Sequence, residues 1–157
     1  MKKWLSGIAL MTAISAQAAT GVSHQLEQVW FTEGLRTPES VLVYGSGDAK
    51  VLFVSEIEGQ GADVDGKGGV AKMSPDGKIL NQDWVRGLNA PKGLGIFKDK
   101  LYVADLTEVV EIALDSGKIL RKIPVADSVF LNDIAISEKG EVFVSDTRTN
   151  KVHRIVD

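Results

Sequence analysis

Short apolar strands separated by polar turns recur along the chain with a period of about 40 residues. Three strand motifs are similar: Val51–Glu56, Lys100–Asp105 and 141–146 each have alternating β-formers, then a small residue, then an acid. A further apolar strand precedes each of them, and the segment 70–80 matches the segment 110–120 at a spacing of 40. Pro-Asp-Gly at 75–77 and Asp-Ser-Gly at 115–117 have the residues of tight turns. The pattern therefore predicts a repeated unit of four short strands.

Four strands repeated every 40 residues or so are typical of the blades of a β-propeller. We predict an all-β chain with blades at 37–87, 88–128 and 129–157, the third being incomplete. A meander sandwich or a small barrel is the rival architecture, and the repetition in sequence as well as in spacing favours the propeller. Residues 25–31 also alternate, which predicts one strand that closes the ring by pairing with a later blade.

Three blades make about half of a ring, since propellers have about four to eight blades. The expectation from sequence is a fragment or truncated product of a longer protein. A dimer that completes the ring from two halves is the alternative. In either case we expect open blade edges to favour self-association.

The N-terminus has the pattern of a secretory signal peptide. Lys2 and Lys3 precede an apolar run at 5–16, and Ala-Gln-Ala at 16–18 supplies a cleavage site near residue 19. The run is shorter than the roughly 20 residues that span a bilayer, and no later segment is long and apolar enough. Removal of residues 1–19 predicts a periplasmic or secreted protein.

Charge and cysteine content exclude several classes of function. The formal net charge of -3 falls to about -5 when the two lysines of the signal peptide are removed. An acidic protein lacks the basic surface that binds DNA or RNA. The chain has no cysteine, which excludes thiol catalysis, thiolate metal sites and disulfides.

Four motifs together suggest a family. Thr-Pro-Glu-Ser-Val at 37–41, Leu-Tyr-Val-Ala-Asp at 101–105, Ser-Pro-Asp-Gly at 74–77 and Phe-Leu-Asn-Asp at 130–133 occur in order along the chain. This arrangement over residues 30–157 resembles the first half of the senescence-marker-protein, gluconolactonase and luciferin-regenerating-enzyme family. The resemblance implies a six-bladed propeller with a divalent metal, often calcium, in its central channel. It also implies hydrolysis of sugar lactones or related esters.

The resemblance assigns roles to two residues. Glu39 matches the family glutamate that ligates the metal, and hard cations do prefer carboxylate oxygens. Asn132 matches the asparagine that contacts the substrate in the channel. The alternatives are a solvated glutamate at a strand end and an asparagine that caps a turn. Lys92 occupies the matching position in the second blade, where it either pairs with an anionic ligand or is solvated.

Two features depart from the expected pattern. Phe130 stands where related lactonases carry an arginine that grips substrate, which suggests a less polar ligand. A glycine-rich insertion at 58–69 predicts a flexible loop over one face of the ring. Asp63 and Asp65 resemble the start of a calcium loop, but Lys72 stands where that motif requires glutamate.

The sequence thus supports three functional hypotheses. The first is a metal-dependent lactone or ester hydrolase. The second is a non-catalytic propeller that binds a small molecule or an envelope protein, since propellers host many functions. The third is a fragment without independent activity. The acids that end the repeated strands, Glu56, Asp105 and Asp146, recur in every unit, and repetition indicates a structural role.

Overall fold

Eleven β-strands form three antiparallel sheets in the computed structural model, which describes residues 26–156. The predicted signal peptide at 1–19 lies outside the described residues. Between residues 26 and 156 the helical content is one short 3-10 turn at Gly47–Ala49. The strands are β1 Pro38–Tyr44, β2 Val51–Glu56, β3 Gly68–Met73, β4 Ile79–Leu88, β5 Pro91–Phe97, β6 Lys100–Asp105, β7 Glu108–Ala113, β8 Ile119–Pro124, β9 Leu131–Ile136, β10 Val142–Asp146 and β11 Lys151–Ile155.

Each sheet is a meander in which the strands pair in the order of the sequence. Blade 1 is β1 to β4, blade 2 is β5 to β8, and the described part of blade 3 is β9 to β11. The first strands of the three sheets lie side by side, β5 between β1 and β9. Meander sheets arranged around their first strands are the architecture of a β-propeller, so the predicted fold class is confirmed. No helix among the described residues is long and apolar enough to cross a membrane.

Alternation along the strands supplies a packing face to each neighbouring blade. In β2, Phe53 faces blade 2, while Leu52 and Val54 belong to a cluster on the opposite face. In β6, Leu101 and Val103 pack toward blade 1, and the two residues that alternate with them pack toward blade 3. Successive side chains point to opposite faces of a sheet, and a central blade therefore needs apolar residues at almost every position.

Two apolar clusters between the blades hold the sheets together. Their members are fully or almost fully buried. Between blades 1 and 2 they include Phe53, Val70, Val85, Leu88, Leu94, Leu101, Val103, Val110 and Ile112. Between blades 2 and 3 they are Tyr102, Ala104, Val109, Leu131, Ile134, Val142 and Val144. Glycines let β5 approach β9 closely, because a Cβ atom on Gly93 would lie 2.5 Å from the Cα of Asp133.

The segment before β1 lies against the outer face of blade 1. The indole Nε1 of Trp30 donates a hydrogen bond to the Pro75 carbonyl at 3.0 Å, and the Thr32 hydroxyl donates to the Gly77 carbonyl. Leu35 packs against the cluster of Leu52 and Val54. Residues 26–31, which belong to the predicted ring-closing strand at 25–31, pair with no strand among the described residues. Closure of a ring by this segment stays a prediction.

Candidate functional site

The three candidate residues of the sequence analysis occupy one register position in three adjacent blades. The first residue of each inner strand pairs with the acid that ends the second strand: Pro38 with Glu56, Pro91 with Asp105, and Leu131 with Asp146. The next residue along the inner strand is Glu39, Lys92 or Asn132, respectively. A bulge follows in β1 and β5, and β10 is irregular opposite β9. The structure thus brings these three residues together at one end of the inner strands, which we call the channel mouth.

The acids at the ends of the second strands hold the chain where it enters each blade. Asp105 accepts hydrogen bonds from the backbone N–H groups of Asn89 and Ala90 at 2.9 and 2.8 Å. Glu56 accepts from the N–H of Arg36 at 2.7 Å. All three acids are buried, with exposures of 0%, 0% and 2% for Glu56, Asp105 and Asp146. A buried carboxylate needs such donors, and this arrangement agrees with the structural role predicted for them.

Asp146 has the most donors of the three acids. Its carboxylate accepts from backbone N–H groups at 2.7 to 3.3 Å, which belong to Val129, Phe130, Arg148 and Thr149. The His153 Nε2 also lies 3.8 Å from its Oδ2. Burial tends to raise the pKa of Asp146, but the hydrogen bonds outweigh burial and lower the pKa to about 2. Burial dominates at Asp105, and its pKa is raised despite two N–H donors.

The opposite pKa directions predict opposite pH dependences of stability. The stabilisation from Asp146 is fully present above its unfolded pKa of 3.8 and is lost as pH falls through about 2. In urea denaturation, the stability difference between wild type and Asp146→Asn is expected to shrink by about 1–2 kcal/mol from pH 5 to pH 2, after allowance for solvent screening. For Asp105, with a raised pKa, the corresponding stabilisation is lost as pH rises from the unfolded value through the folded one. A difference for Asp146→Asn that is independent of pH contradicts this assignment.

Lys92 is buried and is bonded to backbone carbonyls. The residue is only 2% exposed. Its ammonium donates hydrogen bonds to the carbonyls of Ala90 and Gly61 at 2.7 and 2.9 Å. The ammonium also lies 4.3 Å from the centre of the Phe130 ring. Burial lowers the pKa of Lys92, the negative charges of Asp105 and Glu39 oppose that shift, and the positive charge of Arg148 adds to it. Burial rules out the solvated lysine considered as one alternative, whereas pairing with an anionic ligand stays a prediction. The side chain contacts parts of all three blades.

Glu39 and Asn132 have side chains available to a ligand. Within residues 26–156, neither the Glu39 carboxylate nor the Asn132 amide has a protein hydrogen bond. Glu39 is exposed and Asn132 is half-buried. Partial burial raises the pKa of Glu39, Lys92 opposes the rise, and Asp133 adds to it.

The glycine-rich insertion lies at the channel mouth. Its Gly61 carbonyl accepts the hydrogen bond from Lys92, and Ile57 packs in a cluster with Ala90, Leu106 and Phe130. The carboxylates resembling a calcium loop serve the loop itself: Asp63 accepts from the N–H of Gln60, and Asp65 accepts from that of Lys67, both at 3.0 Å. The Lys67 ammonium also lies 3.1 Å from the Asp65 carboxylate. The pKa of Asp65 is lowered, chiefly by the hydrogen bond from the backbone N–H of Lys67, because burial opposes this shift only slightly.

The residues described here do not by themselves fit a divalent metal. Across residues 26–156 no group of three or more histidine, cysteine, aspartate or glutamate side chains converges as a metal site would require. At the channel mouth Glu39 supplies a carboxylate whose pKa burial raises, while the charge of Lys92 lowers it and that of Asp133 raises it. The positive charge of the lysine beside this carboxylate repels a metal cation and so disfavours its binding.

Sequence analysis missed one residue of this region, Arg148. It lies in the turn between β10 and β11, and its guanidinium carbon is 4.6 Å from the centre of the Phe130 ring. The two residues are 18 positions apart, and Arg148 belongs to none of the motifs found in the sequence. Only the tertiary structure brings the turn after β10 over the entry to β9.

Comparisons with known proteins identify no family for the chain. No family model and no curated protein sequence matches the chain. Among solved structures, the chain is similar to a catalytically inactive variant of virginiamycin B lyase from Staphylococcus aureus, determined with quinupristin. The identity is 15%, the TM-score is 0.45, and the match covers 77% of this chain and 53% of that one. The chain thus spans about half the length of that structure, and the function proposed below does not rest on it.

Proposed function

We propose that the protein binds a small polar ligand, of the sugar lactone or ester class, at the channel mouth. The observation that carries the proposal is the pair of unpartnered polar side chains, Glu39 and Asn132, at equivalent positions of two inner strands. A carboxylate accepts hydrogen bonds from ligand hydroxyls, and an amide both donates and accepts. A lactone or a sugar ester offers both kinds of group. The resemblance noted in the sequence supports the same ligand class.

Hydrolysis of that ligand is the finer form of the proposal. The family that the sequence resembles implies a divalent cation, often calcium, with Glu39 among its ligands. Such a cation would polarise the ester carbonyl. The residues described here supply one carboxylate, and we therefore derive no catalytic step from them. Calcium binding, hydrolysis and export to the periplasm or beyond stay predictions.

A binding experiment on matched variants tests the proposal. D-glucono-1,5-lactone and δ-valerolactone are titrated calorimetrically into wild type, Glu39→Gln and Asn132→Ala. Each variant is expected to weaken binding of the sugar lactone about tenfold, because one hydrogen bond to a ligand is worth on the order of 1.4 kcal/mol. Glu138→Gln is the control, since Glu138 is exposed in the turn between β9 and β10, at the opposite end of the inner strands.

The outcomes separate the hypotheses. Unchanged affinity in both channel-mouth variants, or no binding of either lactone by wild type, overturns the proposed site. Turnover of a bound lactone that a chelator abolishes supports the hydrolase. Binding without turnover supports a non-catalytic binding propeller.

A further inference from the structure

Phe130 has two cationic side chains on its ring. The Lys92 ammonium is 4.3 Å and the Arg148 guanidinium carbon is 4.6 Å from the ring centre. Both distances are within the range of a cation–π interaction, to which the electron-rich face of the ring contributes. Phe130 itself suggested a less polar ligand, yet two positively charged side chains surround its ring.

Within residues 26–156, Arg148 is the arginine for which no acidic partner is found. Four of the five arginines of the chain pair with carboxylates: Arg36 with Asp83, Arg86 with Glu58, Arg121 with Glu111 and Arg154 with Glu141. Among the described residues the Arg148 guanidinium has neither an ion pair nor a side-chain hydrogen bond, and its contact is the Phe130 ring. The residue is exposed. Its N–H groups are therefore available to a ligand.

The backbone places this guanidinium in a defined position. The N–H of Arg148 and the N–H of Phe130 both donate to Asp146 Oδ1 at 3.1 Å, so one carboxylate holds both partners of the contact. A planar guanidinium stacked on a ring keeps its fork of donors in one orientation, which reduces the entropy lost when it binds. That fork matches the two oxygens of a carboxylate.

We infer that Arg148 recognises the carboxylate of a small hydroxy-acid ligand, with Phe130 orienting the guanidinium and Asn132 and Glu39 contacting the hydroxyls. This assignment rests on the proposed function and extends its ligands from neutral lactones and esters to the corresponding hydroxy acids, which carry a negative charge. The Lys92 ammonium contributes its charge at 4.3 Å from the ring centre, while its hydrogen bonds remain with Gly61 and Ala90. Glu39 and Asp133 are negative, which directs the carboxylate toward Arg148 and leaves the neutral hydroxyls on their side.

The test compares an anionic probe with a neutral one. D-gluconate, D-glucono-1,5-lactone and inorganic phosphate are titrated calorimetrically at low and high salt into wild type, Arg148→Gln and Arg154→Gln. Arg154→Gln is the matched control, because Arg154 is an exposed arginine of the same blade that pairs with Glu141. Arg148→Gln is expected to weaken gluconate about tenfold or more and the lactone less than threefold, and Arg154→Gln is expected to change neither. Phe130→Leu, which keeps an apolar side chain, is expected to give a smaller loss for gluconate than Arg148→Gln.

The result distinguishes this assignment from the proposal beneath it. Equal losses for gluconate and lactone in Arg148→Gln, or an unchanged affinity for gluconate, overturn the role of Arg148 while lactone binding through Glu39 and Asn132 stands. Phosphate that binds wild type more tightly than gluconate does overturns the carboxylate assignment. Absence of gluconate binding to wild type overturns the inference, and the lactone titration of the same sample then decides the proposed function separately.

Discussion

Replacement of Gly93 by alanine is expected to lower the free energy of unfolding by about 3 kcal/mol, because the new methyl group has no space. A Cβ atom at this position would lie 2.5 Å from the Cα of Asp133 and 2.7 Å from the carbonyl oxygen of Asn132. Both are backbone atoms of β9, so relief requires blades 2 and 3 to separate. Urea denaturation followed by tryptophan fluorescence measures the change.

Gly61 provides the matched glycine for this experiment. A Cβ atom there would meet only the edge of the Phe130 ring at 3.9 Å, which is an ordinary contact. Gly61→Ala is expected to change stability by less than about 0.5 kcal/mol. Equal effects of the two substitutions would show that the close approach of β5 and β9 is not a requirement of the fold. Separation of these strands would also displace Asn132, so Gly93→Ala is expected to weaken lactone binding.

Replacement of Asp146 by alanine is expected to cost about 3 kcal/mol at neutral pH. The substitution leaves four backbone N–H groups without their acceptor, and a buried unsatisfied donor costs about 1–3 kcal/mol. Partial rehydration at the blade end reduces the sum. Thermal and urea unfolding measure the loss, and Asp115→Ala is the control because Asp115 is exposed in the turn between β7 and β8.

Asp146→Ala also tests how the two parts of the channel mouth depend on one another. The same carboxylate orients the backbone of Phe130 and of Arg148, so the variant is expected to lose gluconate affinity under conditions where it remains folded. If the variant is as stable as the control, water replaces the carboxylate at little cost in free energy. The acids at the strand ends are then not required for the stability of the fold.

Much of the blade architecture follows from local patterns. Strands β2 and β6 have the bounds that their repeated motifs predict, and the turns at Gly77 and Gly117 have the positive φ values of 87° and 72° that glycine permits. The segment 26–31 shows the limit of such patterns. Its alternation resembles a strand, yet Trp30 bonds to the turn after β3 instead of to a neighbouring strand. Alternation of apolar and polar residues shows that the two sides of a segment face different environments. It does not show which part of the protein forms each environment.

In the candidate site, too, local patterns predicted some features, whereas contacts between blades could not be predicted from sequence. The repeats predicted that Lys92 and Asn132 occupy matching positions in two blades, and the strand pairing in the structure adds Glu39 to them. Burial of Lys92 was not predictable, since its partner Gly61 lies 31 positions earlier in another blade. Arg148 was not predictable for the same reason, because nothing local to residues 147–150 distinguishes a guanidinium that pairs with an acid from one that stacks on a ring.

The contacts of Lys92 have a mechanical consequence. Its strand belongs to blade 2, Gly61 belongs to the loop of blade 1, and Phe130 begins the path into blade 3. One side chain therefore contacts loops of three blades at the channel mouth. At the opposite end of the inner strands, β5 and β9 meet through Gly95 and the side chains of Ile134 and Ile136. A tilt of one blade against another would have to break the hydrogen bonds of the Lys92 ammonium, so we expect the channel mouth to resist such a motion.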